Sequence, residues 1–228
     1  MKAESFHDLR KRLTDPLLTA LTVVLVLILF LVAPLQAAGV VAAHSFGLAF
    51  GLVLVATVFI LSESRIAVVA ILISIGLILV ATMLRLRHPS VVDICLDAIA
   101  WLITGIALGW VVARAVFAAG RVSYHRVIGA VLLYLDVGII FVAIFCFLAL
   151  LVPNAFNGLP PLQDNLHVAS NLIYFSFATL TTVGYGDIAP LHPVARGLAN
   201  VEAIIGQLYP ATLLARLVTL EIESRRSR

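Results

Sequence analysis

The sequence predicts an all-α membrane protein with six transmembrane helices and a half-length helix that dips in and returns between the fifth and sixth. Three observations carry that prediction. Of the 228 residues, 62% are hydrophobic and 12% charged, with a mean hydropathy of +1.13, more apolar side chain than one soluble core of this size hides. Apolar runs close to the roughly 20 residues that cross a bilayer recur along the chain. Lysine and arginine are distributed unevenly about those runs.

In order, the expected spans are 17–36, 39–61, 66–84, 92–113, 127–152 and 194–219, with the short segment at about 168–180. The first follows Arg10, Lys11 and Arg12, as a signal peptide would, and Ala33 to Ala38 offers small residues for cleavage. Its long apolar core and near continuity with the second run favour a retained span. Asp93 and Asp97 in the fourth span and Asp136 in the fifth are costly at membrane depth unless paired. Arg85 and Arg87, just beyond the third span, are the nearest partners for Asp93.

Between Arg114 and Arg126, polar Arg121, Tyr124 and His125 mix with Val116, Phe117 and Val122. That pattern suits a short interfacial helix, or a continuation of the fourth span that turns near Gly120. The joint divides the chain into a four-helix transmembrane domain, 1–120, and a loop-containing unit, 121–228. In the second unit, Pro153 to Pro161 is turn-rich, and Asn165 or Ser170 can cap a helix whose Leu172 to Leu180 portion is too short to cross. A chain that enters and returns through nonhelical backbone needs protein or a water-filled cavity around it.

An alternating path with a cytoplasmic N-terminus puts 12 of the 15 basic residues inside, leaving Arg85, Arg87 and Arg196 outside. Both termini are then cytoplasmic and the short loop lies near the outer face. The net charge of +3 and pI near 9.1 thus describe topology, and no nucleic-acid partner is needed to explain them. Cys95 and Cys146 fall in apolar spans and form neither a disulfide framework nor a metal site. The scattered Ser, His and Asp residues do not converge on catalytic spacing, so no enzyme is expected. Little chain follows the last run, so a sensing domain would have to come from an unidentified regulatory subunit.

The chemistry concentrates in Thr181-Thr182-Val183-Gly184-Tyr185-Gly186-Asp187. Glycine at 184 and 186 permits positive φ, so successive carbonyls can turn the same way. A phosphate-binding loop would need a preceding strand, wider glycine spacing and usually a lysine, none of which is present. The longer run Tyr174-Phe175-Ser176-Phe177-Ala178-Thr179-Leu180-Thr181-Thr182-Val183-Gly184-Tyr185-Gly186-Asp187-Ile188 resembles the pore-loop segment of the tetrameric potassium channel family. The likeness is specific over about 127–220, whereas the first four spans resemble voltage-gated relatives only in number and order.

The resemblance implies a six-span subunit with one re-entrant pore helix and a selectivity filter, conducting K+ passively as a homotetramer of identical subunits. Stacked carbonyl rings replace the ion's water in such a filter. By likeness, K+ ions meet the backbone carbonyls of Thr182, Val183, Gly184 and Tyr185 and the Thr182 hydroxyl, with no organic cofactor. Gly186, Asp187, Tyr174, Phe175 and Ala178 are then filter support. Two departures stand out: Tyr174 and Phe175 occupy positions often held by tryptophans, and Ala178 one where some relatives keep a glutamate that braces the aspartate.

Gly206 and Pro210 are the expected gate or hinge of the last span, or a static kink that shapes the cavity, since proline removes the bond to the carbonyl four residues back. Glu202 suits interhelical bracing or cavity lining, as does Gln207. No arginine or lysine lies in 91–113, so the voltage-sensor charges are absent and steep voltage gating is not expected. His44, His88 and His125 are candidates for pH response at the interfaces. A potassium-transport or nonconducting regulatory membrane subunit is the alternative.

Overall fold

In lipid, backbone N–H and C=O groups find partners only within their own segment or a closed barrel, and the long apolar runs are helical. The computed structural model describes residues 19–40, 65–87, 90–116, 124–160 and 165–226. Its elements are α1 (Thr19–Ala37), α2 (Arg65–Arg87), α3 (Val91–Val116), α4 (Tyr124–Leu151), β1 (Phe156–Asn157), α5 (Asn165–Leu180), β2 (Ala189–Pro190) and α6 (Pro193–Arg226). Helix α3 packs between α2 and α4, α4 backs both α5 and α6, and α1 lies against α5.

Among the described residues, four helices are long and apolar enough to cross a membrane: Thr19–Ala37, Ile66–Arg87, Val91–Arg114 and Val127–Leu151. This makes the chain a multi-pass membrane protein. It also corrects the expected six-span subunit and its fold class, six spans with a re-entrant pore helix and filter between the last two. The reason is local in each case. Nearly all of the expected second span, 39–61, lies outside the described residues. The expected last span, 194–219, lies in α6, where Arg196, Asn200, Glu202, Gln207 and Arg216 interrupt the apolar run. That helix is long enough to cross but is not among those apolar enough.

The joint expected at 120/121 falls in 117–123, outside the described residues, as do His44 and His88. Outward-facing Ile66, Leu72, Met83, Ile106 and Trp110 give α2 and α3 an apolar surface suited to lipid.

Helix α1 widens to a π-helical turn over Ile28–Val32, just ahead of Pro34. Proline lacks the N–H that would bond the carbonyl four residues back, at Phe30, and a wider turn absorbs that loss. Phe30 meets Phe177 of α5 edge-on, with ring centroids 4.9 Å apart.

The α2–α3 hairpin is fastened by polar groups at two levels. Arg85 Nε donates to Asp93 at 3.1 Å, and its guanidinium also pairs with Asp97. Deeper in the hairpin, Thr104 donates to Ser74 at 2.9 Å, and Ser74 to the Ala100 carbonyl at 3.0 Å. Asp136, costly at membrane depth unless paired, stands differently. Its carboxyl oxygens are buried against Gly105 and Gly109 of α3, without a hydrogen-bond partner among the described residues. A Cβ at Gly109 would lie 2.6 Å from Asp136 Oδ2, so the missing side chain is what admits the carboxyl group.

Candidate functional site

Helix α5, 16 residues long, buries Val168, Leu172, Ile173, Phe175, Phe177 and Leu180 among α1, α4, α6 and the outer loop. Phe175 forms an aromatic triangle with Phe145 and Phe156, centroids 5.0 and 5.3 Å away. At this position, apolar packing stands where an indole would offer a donor.

The last turn of a helix leaves four carbonyls without intrahelical partners, and the chain satisfies all four here. Thr181 N donates to Phe177 O at 3.0 Å, and Thr182 N to Thr179 O at 2.9 Å. Val183 N and Gly184 N both donate to Ala178 O, at 2.8 and 3.2 Å, while Tyr134 Oη donates to Leu180 O at 3.2 Å. Ala178 therefore fixes the loop through its backbone, with no carboxylate at that position.

The loop leaves α5 with left-handed backbone at alternate residues: φ is 60° at Thr182, 57° at Gly184 and 82° at Gly186. For glycine this costs little. Thr182 is the exception, since a β-branched residue in this region is strained. Its hydroxyl accepts a hydrogen bond from Gln207 Nε2 of α6 at 2.8 Å. Among the described residues of one chain, nothing lies within 4 Å of a Cβ built at Gly184 or Gly186, so the positive φ is what demands glycine within the subunit.

Val183 and Tyr185 line an apolar hollow of about 380 Å³ between α1 and α5, with Phe30, Pro34 and Phe177 among its walls. Tyr174 stacks on Tyr185, centroids 5.8 Å apart and planes inclined by 12°. Its hydroxyl donates to Asp187 Oδ1 at 3.0 Å, and the same oxygen accepts from Ile188 N at 3.0 Å. Desolvation, and then the Asp187 carboxylate, hold the Tyr174 phenol above its ordinary value of 10.0, so it stays a donor.

The outer loop fixes the far end. Strands β1 and β2 pair antiparallel, Phe156 opposite Pro190 and Asn157 opposite Ala189. Gly158, at φ 82°, passes so close that a Cβ would meet Asp187 O at 2.1 Å. Sequence reasoning missed Gly158, Tyr134 and Phe30. Each acts across a separation where spacing carries no signal.

Of the expected hinge pair, Gly206 faces the end of α5: a Cβ there would fall 1.7 Å from Leu180 O. Pro210 lies within α6, which continues through it. Glu202 is fully buried and bonds Ser176 of α5, so it braces two helices instead of lining an open cavity. Among the described residues, no group of three or more His, Cys, Asp or Glu side chains could hold a metal ion.

Residues 131–222 match a family described as "Ion channel". Over 56 residues the chain is 39% identical to "Protein LctB" of Bacillus caldotenax, a stretch that is 25% of this chain and 41% of that protein. The LctB protein of Geobacillus stearothermophilus is 39% identical over 62 residues, 27% of this chain and 40% of that protein. "Voltage-gated delayed rectifier potassium channel KCNH5" of Homo sapiens is 35% identical over 60 residues, 26% of this chain but 6% of that channel. The chain thus spans less than half the length of these curated relatives. No solved structure matches it. The family match runs from Val131 in α4 to Ile222 in α6, so it takes in α5 and the Thr181 to Asp187 loop.

Proposed function

We propose that four identical copies of this chain surround one axis and conduct K+ passively, selecting it over Na+ by the backbone carbonyls of Thr182, Val183, Gly184 and Tyr185. The observation that supports this reading is the left-handed backbone at alternate positions 182, 184 and 186, held at the end of a short helix whose terminal carbonyls are all satisfied. One chain supplies one wall of a carbonyl ring, so the reading requires a repeated subunit. The Thr182 hydroxyl adds a ligand below the carbonyls, and the α5 dipole favours a cation near its C-terminal end.

In this reading residues 121–228 carry conduction, and 1–120 form a flanking membrane domain without sensor charges. Both termini face the cytoplasm, as the distribution of lysine and arginine favours. Gly186, Asp187, Tyr174, Phe175 and Ala178 support the loop, and the Gly206 to Pro210 stretch of α6 serves as a hinge. Purified protein reconstituted alone into liposomes tests the proposal. Potassium flux down its gradient without an energy source, well above sodium flux, is expected. Absent flux, or equal flux of the two ions, overturns it.

A further inference from the structure

Three helices meet behind the loop at one hydroxyl group. Ser176 Oγ on α5 lies 3.0 Å from the Gly138 carbonyl of α4 and 2.5 Å from Glu202 Oε1 of α6. Ser176 and Glu202 are fully buried, and Glu202 Oε2 has no hydrogen-bond partner among the described residues. No described ion pair includes Glu202.

A hydroxyl carries one hydrogen, and a carbonyl oxygen can only accept. If Ser176 donates to Gly138 O, the contact with Glu202 is a hydrogen bond only when the carboxyl group carries a proton and donates it to Ser176 Oγ. If Glu202 were ionised, Ser176 would have to donate to it. The 3.0 Å contact with Gly138 would then join two acceptors, and a buried anion would keep one oxygen unmatched. Both short contacts are hydrogen bonds in only the first arrangement.

We propose that Glu202 is a positioning residue, held as its neutral acid, that donates to Ser176 while Ser176 donates to Gly138, tying α6, α5 and α4 behind the Thr181 to Asp187 loop. Its role in conduction rests on the channel reading above. The consequence is regulatory: removing the proton reverses the Ser176 donor, frees the Gly138 link and loosens the helix that carries the loop.

The other groups around Glu202 leave the proton in place. Tyr134 on α4 is near enough to interact electrostatically with it but gives its hydrogen to Leu180 O. Asp136 on α4 faces Gly105 and Gly109 of α3. On α6 itself, Arg196 Nε turns to Pro190 O and Gln207 to Thr182.

Infrared difference spectra of the purified full-length parent and Glu202→Gln at neutral pH read the proton directly. Loss of a protonated-carboxyl C=O band in the variant is expected, and loss of a carboxylate band instead overturns the assignment. In liposomes, raising the pH on both sides should reversibly lower potassium flux of the parent by about tenfold, the scale of one to two lost hydrogen bonds. Glu202→Gln, whose amide donates without titrating, should hold its flux across the same range. Ser176→Ala should be low throughout. In a parent that conducts, flat pH dependence, or a Gln variant that keeps the parent's pH dependence, overturns the relay. A protonated carboxyl in a parent without any potassium flux upholds the relay and sinks the channel reading.

Discussion

The α-carbon of Gly206 rests against the carbonyl of Leu180, so closely that a Cβ would lie 1.7 Å from the oxygen. Helix α6 can pass the end of α5 at this distance only with glycine there. Gly206→Ala should therefore destabilise the protein by about 1–3 kcal/mol or more, as overpacking against rigid backbone does. Gly197→Ala, also in α6 but with nothing within 4 Å among the described residues, is the control and should gain about 0.5–1 kcal/mol. Thermal unfolding in detergent compares them, and equal melting temperatures would remove the packing role.

Tyr174 supports the loop twice, through its ring on Tyr185 and its hydroxyl on Asp187. Tyr174→Phe keeps the first contact and loses the second, so sustained potassium flux should decline several-fold faster, with Tyr174→Leu worse. The neutral phenol is the favoured form. Its contribution is therefore complete below the ordinary tyrosine value of 10.0 and lost as the pH rises through the higher folded value. A decline that steepens well below that range would assign the effect to another group.

Gly186→Ala forces a side chain onto backbone at φ 82°, at a cost of about 1–2 kcal/mol. Tyr185→Ala instead removes the ring that stacks on Tyr174. Both should reduce potassium flux or raise relative sodium permeability while membrane insertion persists. Unchanged conductance and reversal potentials in planar bilayers, for both variants, would refute carbonyl coordination at this loop.

Helix α3 has Arg114 in its last turn and acidic Asp93 in its first, with no basic residue between. Open probability should change shallowly between about −100 and +100 mV, with a gating charge below about 2, against about 12 for three to four charges in each of four subunits. A value near the larger figure would show that charges elsewhere move through the field.

Pro210 removes the bond to the Gly206 carbonyl inside α6. If that site flexes during opening, Pro210→Ala should lower open probability and leave the potassium to sodium permeability ratio intact. An unaltered open probability in single-channel recordings would make Pro210 a fixed feature of the helix.

By itself, the sequence determined the membrane class, the four apolar helices among the described residues and the glycine-bearing loop after α5, because hydropathy and glycine conformation are local properties. The Arg85 to Asp93 pair was legible for the same reason, the two being eight residues apart in the chain. Counting apolar runs was less secure at α6, where a long helix carries polar residues that serve its neighbours. The tertiary structure alone decided what those residues touch. Gln207 reaches Thr182, Glu202 reaches Ser176, and Tyr134 reaches Leu180 over separations of 25, 26 and 46 residues. It also left Asp136 without a hydrogen-bond partner among the described residues and made Gly206 a point of backbone contact. Hydrogen bonds and close approaches of this kind depend on which helix faces which, and pairing of helix faces is settled by packing over the whole chain.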